Sequence, residues 1–105
     1  MRHFTSFLIA IILSSSPLKG QDLLYLADEE YGEYLSSQCV TCHQPSSDNN
    51  IPSINGRDFE AMIFMLEAYK NKDLDNQVMQ LVAGNLDDEQ MASLALYFSK
   101  LPLDD

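Results

Sequence analysis

Histidine and cysteine are scarce here, two of each in 105 residues, and His3 lies in an N-terminal stretch that reads as a leader. With His43 the one histidine beyond that stretch, no constellation of nucleophile, base and orienting group for a hydrolytic or acid–base enzyme stands out. Cations are few as well: 6 Lys and Arg face 16 Asp and Glu, a formal charge of -10. So acidic a chain is a poor match for nucleic acid or an anionic membrane surface, and suits a basic partner or simple solubility. No apolar run is long enough to cross a bilayer: Phe4 to Leu13 is about half of the ~20 residues required. With Arg2 and His3 before it and a polar stretch closing on Gly20 after it, this run has the anatomy of a secretory signal. Residues 1–20 are expected to be removed near Gly20, leaving one exported domain, residues 21–105, with no membrane anchor. Loss of Arg2 and Lys19 takes the formal charge from -10 to -12. β-Hairpin signals, internal repeats and low-complexity segments are also missing.

What is present has helical spacing. Leu24, Ala27, Tyr31, Tyr34, Leu35 and Gln38 form one stripe, which predicts a helix running into Cys39, firm from Asp28 onward. Residues 43–56 gather Pro, Ser, Asp, Asn and Gly into a long loop, a length that in a small domain usually serves function. Phe59, Met62, Ile63, Leu66 and Tyr69 predict a second helix from Arg57 to about Lys70. A polar link and a short apolar segment, Val78 to Ala83, follow, with Gly84 suited to a helix end at positive φ. The last helix is the clearest: Asp87 pairs with Gln90 as a capping box, acids fill the first turn, Lys100 the last, and Pro102 stops it. The fold class is all-α. A domain of this size derives only a few kcal/mol from its apolar core, and small exported domains usually add disulfides, a metal or a bound group.

The remaining chemistry sits in Cys39-Val-Thr-Cys42-His43. A closed zinc site needs about four ligands, and these three would require a distant carboxylate. A thioredoxin-like redox pair belongs at a helix N-terminus after a strand, whereas this motif follows a helix and precedes a loop. A plain disulfide remains open. Cys-x-x-Cys-His is also the signature of c-type haem attachment, two thiols forming thioethers while the next residue offers its imidazole to the iron. Export, a single copy, the helical pattern and the small core favour the haem reading.

On these residues the chain resembles the class I c-type cytochromes over nearly the whole of residues 21–105. "GEYLSSQCVTCH" resembles the family's first helix ending in the haem motif, "IPSINGR" its proline-containing loop, and "NQVMQLVAGNLDDEQMASLALYFSKLP" its methionine segment and last helix. More narrowly, it is similar to the monohaem cytochrome subunits of flavocytochrome c sulfide dehydrogenase and related sulfur-oxidation cytochromes. Gln44-Pro45 departs from the pattern, where many relatives have Gly after the histidine.

The resemblance implies a cytochrome c fold, about four helices wrapped around one covalent haem c held by Cys39 and Cys42. His43 and Met79 are then the axial iron ligands. Met62, Met65 and Met91 lie on strongly periodic helices and are expected to pack the core, whereas Met79 falls in a less regular link, with Gln77 where the family more often has Pro. Pro52 would set its carbonyl against the His43 imidazole, Ile54 would pack on the ring, and Gly32 and Tyr97 would mark the crossing of the terminal helices. The implied function is periplasmic one-electron transport and not catalysis, as the electron-accepting subunit of a flavoprotein sulfide dehydrogenase that passes electrons to a downstream acceptor. A freely diffusing carrier is the alternative; a haem-based sensor with an exchangeable ligand is a third reading.

Overall fold

The computed structural model describes residues 20–44 and 50–103. The expected leader, Gly20 apart, lies outside them, as does Pro45. All regular structure described is helical: a 3-10 helix at Gly20–Leu26, then α1 (Glu29–Leu35), α2 (Ser37–Val40), α3 (Phe59–Lys70), α4 (Gln77–Gly84) and α5 (Asp88–Ser99). There is no strand among the described residues, and the chain is all-α.

The four longer starts share one device. Asp28, Asp58, Asn76 and Asp87 each accept the backbone N–H three residues on, at 3.2, 3.0, 3.0 and 2.8 Å. Such caps satisfy N–H groups that a helix start leaves unpaired. Asp87 completes the expected capping box, its own N–H donating to Gln90 Oε1 at 2.9 Å. Acids in the first turns of α1, α3 and α5 lie at the positive ends of the helix dipoles, which gives part of the acidic surplus a structural use.

Several helix ends differ from expectation. The first helix is three pieces: Asp28 restarts the chain after the 3-10 turn, and Ser36 separates α1 from α2. Ser36 Oγ donates to the Glu33 carbonyl at 2.6 Å, competing for acceptors that a continuous helix would use. Positive φ is absent at Gly84; α4 ends instead on Asn85 at φ -91. The left-handed position is Lys72, at φ 64. There Lys72 N–H donates to the Tyr69 carbonyl at 3.0 Å and Asp73 N–H to the Ala68 carbonyl at 2.8 Å, the two bonds of a Schellman motif closing α3. Lys100 caps α5 instead of lying in its last turn, and pairs with Glu29 at 2.8 Å on the surface.

The core forms around α5, whose Met91, Leu94, Ala95 and Phe98 are buried with Leu23, Ile63, Leu66, Ala83 and Leu86. α1 lies against α5 at a crossing with no room for a side chain. A Cβ on Gly32 would overlap the Ser93 carbonyl oxygen and stand 2.8 Å from Tyr97 Cβ, so Gly32 and Tyr97 do meet where the terminal helices cross. Buried Ser93 accepts the Asp28 N–H on its Oγ at 3.0 Å, and Gln90 Nε2 reaches Tyr31 Oη at 3.2 Å. These contacts fix α1, and with it the cysteine motif beyond its end, relative to α5.

Candidate cofactor site

The turn that carries the motif continues the helical path. Cys42 N–H and His43 N–H both donate to the Cys39 carbonyl, at 3.1 and 2.8 Å. Residues three and four apart on such a turn share a face. Cys39, Cys42 and His43 accordingly line one cavity of about 440 Å³. That volume falls among cofactor and ligand sites, about 300–1,000 Å³. Its walls come from the end of α2, the loop of residues 50–57, one stripe each of α3 and α4, and Leu94 and Phe98 of α5.

Beyond the motif, Pro52, Ile54 and Met79 line the same cavity, so the fold brings all six sequence-singled residues together. The Pro52 carbonyl lies 2.8 Å from His43 Nδ1. A carbonyl can only accept, so Nδ1 carries a proton, and in the neutral ring the lone pair falls on Nε2. The loop that supplies this carbonyl is braced twice. Arg57 donates from Nε and Nη2 to the Ser53 carbonyl, each at 3.1 Å, and Gly56, at φ 72, donates its N–H to the Phe98 carbonyl at 2.8 Å. A side chain at Gly56 would meet Leu103 at 2.9 Å besides straining the backbone.

Met79 lies in the first turn of α4, not in an irregular link. The sequence reading gave this stretch as a short apolar segment with a helix end at Gly84 and missed the helix start before Met79, because an amphipathic stripe needs about two turns to show and polar "NKDLDNQ" precedes it. Among the other methionines, Met91 and Met62 are buried, 1% and 8% exposed, as core packing requires. Met65 is not: it is 44% exposed, and both it and Met62 line the cavity. Tyr69 and Asn76 line it too, and neither carries a sequence signal separating a cavity wall from a core face. Lys70 donates to the Leu86 carbonyl.

Both cysteines are free thiols, Cys39 half-buried and Cys42 exposed. Burial, and to a smaller degree the charge of Cys42, push the Cys39 thiol up to about 11. A thiol so placed is protonated and weakly nucleophilic at neutral pH, the opposite of the depressed pKa that drives dithiol exchange. Among the described residues no cluster of three or more His, Cys, Asp or Glu is placed to hold a metal ion.

No family model matches the chain. No curated protein matches it either. The chemistry of the site therefore rests on its own geometry. Two thiols three residues apart, an imidazole oriented through its Nδ1, and a thioether all border one largely apolar space. Such a set could hold a largely apolar cofactor through the two thiols, with nitrogen and sulfur donors within the same cavity.

Proposed function

We propose that the chain is an exported monohaem c-type cytochrome that carries one electron at a time. The observation that carries this reading is the 2.8 Å contact from His43 Nδ1 to the Pro52 carbonyl, at the wall of a cavity that Met79 also lines. Bound haem c supplies a one-electron iron couple. Cys39 and Cys42 hold it as thioethers, His43 offers Nε2, and Met79 offers its sulfur. The Pro52 carbonyl fixes the imidazole tautomer and raises its basicity. An imidazole and thioether pair of fixed ligands suits a carrier with a raised potential better than a catalyst. Ile54, Leu94 and Phe98 line the cavity and would exclude water from a bound haem, which would favour the less charged, reduced state.

The sulfide-oxidising flavoprotein remains the proposed donor on resemblance, with a downstream acceptor beyond it and the periplasm as the location. Three experiments test the reading. Denaturing extraction should leave the haem on the chain, and the oxidised protein should show the weak far-red band of sulfur ligation. Carbon monoxide should bind the reduced Met79→Ala protein and be resisted by the unaltered one; identical spectra would remove Met79 from the iron. Equal rates of reduction by sulfide with and without the flavoprotein would remove the subunit reading and leave the free carrier.

A further inference from the structure

Four α-helices start on an Asx side chain, and three of those caps are aspartate: Asp28, Asp58 and Asp87. The fourth, Asn76, is neutral, and it is the one that lines the cavity. The helix dipole favours a carboxylate at this place, and the chain uses one at each of the other three starts. Asn76 also acts directly on the residue assigned as iron ligand. Its Oδ1 accepts the Met79 N–H at 3.0 Å, and its carbonyl accepts the Gln80 N–H at 2.9 Å. Because a backbone N–H can only donate, the contact identifies the accepting atom as oxygen and fixes the amide's orientation. Gln80 Nε2 closes the turn from the other side through the Leu74 carbonyl at 2.9 Å. The backbone that presents Met79 is thus held by one side-chain oxygen of a residue on the cavity wall.

We propose that Asn76 is the positioning residue for Met79, and that it is an amide because a carboxylate at this wall would lower the reduction potential. The proposal rests on the electron-carrier reading above. A free Met79 turn would let the thioether leave the iron more often, and a negative charge beside the cavity would stabilise the oxidised, more positive state. Neutrality and capping are separable, since serine caps without charge and aspartate caps with it.

The test uses the full-length holoprotein and the variants Asn76→Ala, Asn76→Ser, Asn76→Asp and Met79→Ala. Asn76→Ala should raise carbon monoxide binding by the reduced protein about fivefold, the factor a lost cap carries, and weaken the far-red band while far-UV circular dichroism is retained. Asn76→Ser should restore both. Asn76→Asp should keep the band but shift the oxidised-to-reduced ratio at fixed ambient potential about threefold toward oxidised, about 28 mV for one electron. Amide exchange at Met79 should quicken in Asn76→Ala and not in Asn76→Ser, a readout independent of ligation. If Asn76→Ala does not fold, Asn76→Gly takes its place, since glycine supports the helix start and lacks the oxygen. Unaltered carbon monoxide binding in the variant without the oxygen, or failure of serine to restore it, overturns the positioning role. An unshifted potential in Asn76→Asp overturns the role of neutrality. An unchanged band in Met79→Ala overturns the ligand reading itself, and the proposal with it.

Discussion

Gly32→Ala is the sharpest test of how the helices are held. The added methyl would overlap the Ser93 carbonyl oxygen and stand 2.6 Å from the carbonyl carbon, where ordinary contact begins at 3.4 Å. Both are backbone atoms of α5, so no rotamer change relieves them, and α1 must move away by roughly 0.8 Å to clear the carbon and roughly 1.4 Å to bring the oxygen to ordinary contact. That movement stretches the Asp28 N–H to Ser93 Oγ bond, now 3.0 Å, and the Gln90 to Tyr31 bond, now 3.2 Å. Overpacking costs about 1–3 kcal/mol, and a weakened, partly buried hydrogen bond about 1 kcal/mol more. Alanine's better helix propensity returns about 1 kcal/mol. The net loss is about 1–3 kcal/mol, and at about 4–8 °C per kcal/mol for a domain of this size the midpoint should fall by roughly 4–24 °C. Thermal unfolding followed by far-UV circular dichroism reads it. Tyr97→Ala should not rescue the variant, because Tyr97 Cβ remains and the worst overlap is with backbone. A Gly32→Ala protein as stable as the original would refute the close crossing.

Gln77 occupies the first position of α4, where proline's fixed φ is already satisfied, and the preceding Asn76 is extended at φ -172; Gln77→Pro should therefore raise stability by about 0.4–1 kcal/mol in denaturant titration. Lys72→Gly should stabilise by about 0.5–1 kcal/mol, because glycine avoids the left-handed cost at φ 64 and gives back part of it in unfolded-chain entropy. Burial, and secondarily the Asp88 charge, raise the Glu67 carboxyl above its ordinary value. The folded state then holds this proton more tightly than the unfolded chain, so ionisation destabilises the fold, in full above the raised pKa and not at all below about 4.5. Glu67→Gln should thus be the more stable protein at pH 7, with the gap closing as melts are repeated toward pH 4.

The legible parts of this fold were those where chemistry and period agree. Asp87 with Gln90, the stripe of α3, and Cys39-x-x-Cys42-His43 each combine a residue type with a spacing that few other structures use. The residues expected at the site were also the ones that meet at the cavity, because a five-residue turn brings three of them together by itself. What stayed hidden was set by tertiary context. Helical periodicity marks a face that avoids water, and Met65 and Tyr69 satisfy it whether that face meets protein or a cavity. Lys72 takes a left-handed position that composition assigns to glycine, as at Gly84, because the Schellman bonds to Ala68 and Tyr69 offset its strain. Asn76 reads as one polar residue in a polar link until Met79 is seen to donate to it.

The bond from Gly56 N–H to the Phe98 carbonyl, 2.8 Å long, joins the loop of residues 50–57 to the end of α5, while Pro52 of the same loop holds the His43 imidazole at 2.8 Å. Local openings in small domains follow contiguous cooperative units. A loop anchored at both points cannot open alone without breaking a bond to the core helix. The imidazole's acceptor is thereby lost with the C-terminal end of α5 as one unit, and hydrogen exchange at Gly56 should report the integrity of the histidine's hydrogen bond from the far side of the loop.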